Sequence, residues 1–150
     1  MKRLEAVKAV GLAVLILALN LLLAFLAVAA YAQVVEPGRP QAFYSAAAPR
    51  IAGWSAPLGG AALFMIAAWV LGRRRPGRDA VRFALLAWVA YVVLDLGSGA
   101  AAGDVHAMLS LQMTVSMGLA LVGALAGAAL ARGRSVAPAA TSSPSPETRT

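Results

Sequence analysis

The sequence has no cysteine and a single histidine. The absence of thiols excludes disulfides, thiolate nucleophiles and Cys-based zinc or iron–sulfur sites. One imidazole cannot make a bis-histidine haem site, and it leaves a metal centre short of its usual donors. Charge is scarce as well. Only 13% of the 150 residues are Asp, Glu, Lys or Arg, about half the share in an ordinary soluble domain. The chain has no GxSxG elbow, and no oxyanion hole can be located, so nucleophilic catalysis has no support. No cofactor and no metal are expected.

What is present is apolar. Hydrophobic residues make up 61% of the chain, and the mean hydropathy is +0.77. Such a composition belongs to a membrane protein. The formal charge of +7 would suggest nucleic acid in a soluble chain. Here the basic residues stand in short clusters at the ends of apolar runs. They are assigned to membrane orientation and anionic lipid headgroups, with no nucleic-acid partner.

A helix needs about 20 mostly apolar residues to cross a bilayer core. Four runs meet that length: Val10 to Val35, Ile51 to Leu71, Val81 to Gly99 and Val105 to Ala131. They are continuously apolar rather than alternating, which favours helices over a β-barrel. The expected fold is therefore an all-α integral membrane protein, a four-transmembrane-helix bundle occupying residues 1–134.

Lys2, Arg3 and Lys8 open the first run, and Arg132 and Arg134 follow the last. The link GRRRPGR carries Arg73, Arg74, Arg75 and Arg78, with Arg82 at its edge. The opposite side has only Arg39 and Arg50. The positive-inside rule then puts both termini and this link in the cytoplasm, in a bacterial inner membrane, with the five link arginines facing lipid headgroups. Tyr31, Tyr44 and Trp54 fall at the outer boundary and Trp69 at the inner one, where amphipathic rings settle. The stretch AVAAYAQ resembles a signal-cleavage site after Ala32. The apolar run before it is much longer than the roughly 7–15 residues of a signal core, so the first segment is expected to stay as a helix.

The first outer loop, EPGRPQAFYSAAAPR, holds Pro37, Pro40 and Pro49. Pro40 is placed to begin a short interfacial helix at QAFYSAAA. The tail SVAPAATSSPSPETRT, residues 135–150, is rich in Ser, Thr, Pro and Ala without periodicity, and is expected to be disordered.

Polar side chains inside the apolar runs need a reason, because ionisable groups there cost at least a few kcal/mol on insertion scales. Asn20, Asp95, His106 and Gln112 stand out. Asn20 suits interhelical hydrogen bonding. If the chain turns at residues 100 and 101, Asp95 faces His106, Tyr91 faces Ser110, Trp88 faces Met113 and Ala84 faces Met117. Steps of four, three and four put each set on one helix face. An Asp95–His106 pair would hold the hairpin in register or, as an alternative, relay protons. A later turn would bring Asp95 opposite Leu111 or Gln112. Asp104 is placed to cap the fourth helix.

Span four also carries a small-residue stripe, Ser116, Ala120, Gly123, Gly127 and Ala131. A stripe of this kind lets helix backbones approach closely, within the bundle or against another chain. Pro57, Gly59 and Gly60 mark a bend in span two.

Taken together, these features favour a non-catalytic accessory or assembly subunit that works through helix contacts, with another membrane subunit or with its own copies. One alternative is an oligomeric proton-coupled transporter or channel using Asp95 and His106. A membrane enzyme, or a haem or quinone protein, is the weakest reading.

Overall fold

A computed structural model of the chain describes residues 3–74, 77–101, 103 and 110–133. The described residues form four long helices: α1 (Arg3–Ala30), α2 (Gln41–Gly72), α3 (Gly77–Ala101) and α4 (Leu111–Gly133). All four are long and apolar enough to cross a membrane, and the described residues contain no strand. Asp104, His106 and the tail after Gly133 lie outside the described residues, as do Arg75 and the side chain of Arg78.

α1, α2 and α3 begin before the limits drawn from hydropathy, because hydropathy registers lipid-compatible residues and not hydrogen-bonded ones. α4 instead starts at Leu111, later than the Val105 expected, with Ser110 outside the helix. α1 passes into a π-helical turn, Tyr31–Val35. The largest difference concerns QAFYSAAA, which is not a separate short helix. Pro40 stands at the N-terminal cap as expected, but the helix then continues through Pro49 and Pro57 to Gly72. A proline removes one backbone hydrogen bond and bends a helix. Apolar surroundings make unpaired backbone groups costly, so unwinding further would lose more than the bend does.

The turn before α2 is built around Gly38, whose φ of 77° lies in the left-handed region that favours glycine. Tyr44 closes it. Its hydroxyl donates to the Glu36 carbonyl at 2.6 Å and accepts from the Arg39 backbone N–H at 3.0 Å. Arg39 bonds the Glu36 carboxylate at 3.1 Å and lies over the Phe43 ring.

In cross-section α2 and α3 each touch all three other helices, with α1 and α4 across the longer diagonal. The buried faces are made of small residues at helical spacing. α1 contributes Ala9, Ala13, Ile16 and Asn20, and α3 contributes Ala80, Ala84, Ala87 and Tyr91. α2 adds Pro57, Gly60, Phe64, Ala68 and Gly72. Large side chains such as Leu22, Phe25, Leu58, Val93 and Leu130 are exposed. With small residues inside and large apolar ones outside, the usual order of a water-soluble core is inverted, as expected where helix association depends on close packing and not on expulsion of water.

α2 and α4 make the closest pair. A Cβ at Gly123 would strike the carbonyl oxygen of Ala61, and one at Gly127 that of Met65. At the far end of α2 a Cβ on Gly72 would come within 2.8 Å of the Ala131 Cβ. Most of the small-residue stripe of span four is therefore occupied inside the chain: Ala120, Gly123, Gly127 and Ala131 are buried, and Ser116 is half-buried.

The α3–α4 register differs from the one drawn on a turn at residues 100 and 101. α3 is still helical at Ala101, so the chain turns later. The Trp88 indole accordingly donates to the Met117 carbonyl at 3.0 Å, one helical turn beyond Met113.

Candidate functional site

All the described members of the polar set line one cleft of about 310 Å3. α1 supplies Asn20, α3 supplies Tyr91 and Asp95, and α4 supplies Gln112 and Ser116; Ser110 sits just before α4. Ala56 and Pro57 of α2 form one wall, with Leu17, Leu21 and Met113 completing the apolar lining. His106 lies outside the described residues, and so does the pairing expected for it.

The cleft lies toward the end of the bundle away from the arginines. Asp95 is eighteen residues into α3, or about 27 Å along it at 1.5 Å per residue. Gln112 is the second residue of α4. On the arginine side of Tyr91 and Asn20, Phe64 and Ile16 are fully buried. Phe64 meets the Tyr91 ring edge-on, with centroids 5.1 Å apart.

Asn20 forms the floor. Only 7% exposed, it donates through Nδ2 to the Tyr91 hydroxyl in a long 3.5 Å bond. Its Oδ1 is buried without a hydrogen-bond partner among the described residues. That oxygen lies against Gly59, where a Cβ would come within 2.9 Å of it, and Gly60 borders the same amide. The two glycines read from sequence as part of a bend thus form the notch that receives Asn20. Gly59→Ala is expected to destabilise the bundle by about 1–3 kcal/mol through overpacking. Most of that loss should return in the double variant Gly59→Ala/Asn20→Ala, as measured by thermal unfolding in detergent.

Asp95 is the one carboxylate among the described residues of the cleft. Its side chain has no hydrogen-bond partner among the described residues, while its backbone carbonyl accepts the Ser98 hydroxyl at 2.8 Å. Ser110 caps the start of α4 through its Oγ, which accepts the Met113 N–H at 3.2 Å. Gln112 reaches across to α2, its amide nitrogen filling the space beside Gly53.

The arrangement offers one anionic group, two amides, a phenol and two hydroxyls around a small volume with apolar walls. Its chemistry suits a proton, a cation or a small polar solute with a positive group. Among the described residues no three His, Cys, Asp or Glu side chains converge on a metal position.

Ala56, Pro57, Leu17 and Met113 carry no polar signal and were not readable as site residues. Only the Pro57 bend hinted that α2 borders a cavity. No family model, curated protein or solved structure matches the chain.

Proposed function

We propose that this chain is a proton-coupled carrier or channel for a small polar or cationic solute, acting as an oligomer in a bacterial inner membrane. Both termini and the arginine-rich link face the cytoplasm. The observation that carries this reading is the cleft itself, where Asp95, Tyr91, Asn20, Gln112, Ser110 and Ser116 from separate parts of the chain share one volume. An ionisable group kept at such depth, with no described partner, has a functional role as its simplest explanation. Pro57 lines the same cleft on a helix that contains two prolines, which supports bending of α2 as the movement that opens the site.

The orientation rests on the charges. Arg73, Arg74 and Arg82 are exposed at one end, where they are available to anionic headgroups. Arg73 also stacks on Trp69 at 4.3 Å. At the opposite end Arg39 is neutralised by Glu36. α2 has 32 residues and is about 48 Å long, well over the roughly 30 Å hydrocarbon core. Its first turns, with Phe43 and Tyr44, therefore stand in the outer headgroup layer. Four spans give too little material for a private pathway, which favours a working dimer or larger assembly.

The test is proton flux into sealed proteoliposomes under an imposed pH gradient. The purified chain is expected to collapse the gradient faster than protein-free vesicles, and identical traces would refute the transport reading. A second reading, the accessory subunit, draws support from α1, the least covered of the four helices. A stoichiometric foreign chain in native mass spectra of gently extracted protein would establish it.

A further inference from the structure

A groove larger than the polar cleft lies elsewhere in the described residues. It lies between α1 and α3 at the arginine end, holds about 600 Å3, and is lined by Glu5, Asp79, Arg82, Phe83, Leu85, Leu86 and Val89. Its walls are apolar and its mouth carries charges of both signs. From Asp79 to Val89 the groove follows α3 for about 15 Å, half the thickness of a hydrocarbon core and so the depth of one leaflet.

The charges at the mouth are not explained by one another. Asp79 and Arg82 are three residues apart on one helix, the spacing at which opposite charges readily pair. They form no ion pair, and neither does Glu5 with any described residue. Both carboxylates lie in the first turn of their helices, where the helix dipole favours an acid. That accounts for an acid at each position. It does not account for two acids and one guanidinium that, among the described residues, stand without ion pairs at the rim of one apolar groove.

We infer that this groove is a binding site for a single aminophospholipid, of phosphatidylethanolamine type. Its ammonium lies toward Glu5 and Asp79, its phosphate toward Arg82, and an acyl chain runs along Leu85, Leu86 and Val89. A lipid headgroup at this depth that carries both signs of charge matches the rim. A purely anionic headgroup would satisfy Arg82 but meet two carboxylates. A choline headgroup has the right charge but no N–H to donate, which removes the charge-assisted hydrogen bonds. The site is separate from the polar cleft and depends only on insertion in a membrane, so its failure would leave the transport reading untouched.

The experiment is native mass spectrometry of the detergent-purified full chain titrated separately with dimyristoyl phosphatidylethanolamine, phosphatidylcholine and phosphatidylglycerol. Phosphatidylethanolamine is expected to occupy one site with about tenfold higher apparent affinity than phosphatidylglycerol, and phosphatidylcholine to fall between them. The double variant Glu5→Gln/Asp79→Asn is expected to lose the preference while still taking up lipid, and Arg82→Gln to weaken all three. All three positions are exposed, so the variants should elute and melt like the parent. Equal binding of the three lipids overturns the proposal, as does tighter binding of phosphatidylglycerol. Survival of the preference in the double variant does so too.

Discussion

Gly123→Leu is expected to leave no folded, monodisperse protein, and Gly123→Ala to lower stability by about 1–3 kcal/mol. The Cβ of an alanine at 123 would run into the Ala61 peptide group, with the carbonyl carbon at 3.0 Å and the Cα at 3.1 Å. At Gly127 the obstacle is the Met65 peptide group, whose carbonyl carbon would be 2.9 Å away. These are backbone atoms of a continuous helix and cannot rotate aside as a side-chain tip can. Relief requires α2 and α4 to separate, which opens the closest contact of the bundle. Gly118, on the same helix, has nothing within 4 Å of an added Cβ. Gly118→Ala is therefore expected to be neutral or to stabilise by up to about 1 kcal/mol through helix propensity. Circular-dichroism melts of Gly123→Ala and Gly118→Ala in one detergent measure the contrast directly.

Asp95→Asn is expected to reduce proton flux to the leak of protein-free vesicles while the bundle stays folded. The carboxamide keeps the size of the side chain and removes its titration. A carboxylate with no described partner is a cost to the fold, so its removal should leave the melting temperature unchanged or raise it. A purely structural Asp95 would give the opposite pair of results, lower stability with unaltered flux. Tyr91→Phe separates the two roles further. It removes the acceptor of the Asn20 amide but keeps the ring against Phe64, and should lower stability by about 1 kcal/mol.

Much of the helical content was legible because each run had to be apolar along its whole length. The ends were not, since Gln41 to Pro49 contains the polar and proline residues of a loop yet continues straight into α2. Helical period places Asp95 and Tyr91 on one face, but it carries no information about depth against the neighbouring helix. A turn displaced by two residues moves the partner of Trp88 from Met113 to Met117. Asn20 was recognisable as interhelical glue from its solitude, whereas its partners Tyr91 and Gly59 lie 71 and 39 residues away and have no local signal. The small-residue stripe was visible as a contact face. That α2 occupies it, leaving no backbone-to-backbone groove there for a second chain, became clear only from the packing.

On the proposed function, the cleft holding Asp95 is open to water on the side opposite the termini. Because the chain has no cysteine, one engineered thiol reports on one position. Ser116→Cys in right-side-out vesicles is expected to react with a membrane-impermeant maleimide added outside, while Ala124→Cys, at a fully buried position, stays unmodified. An unreactive Ser116→Cys beside a reactive Ser45→Cys, in protein that still melts like the parent, would mean a closed, dry cleft and would contradict the claim.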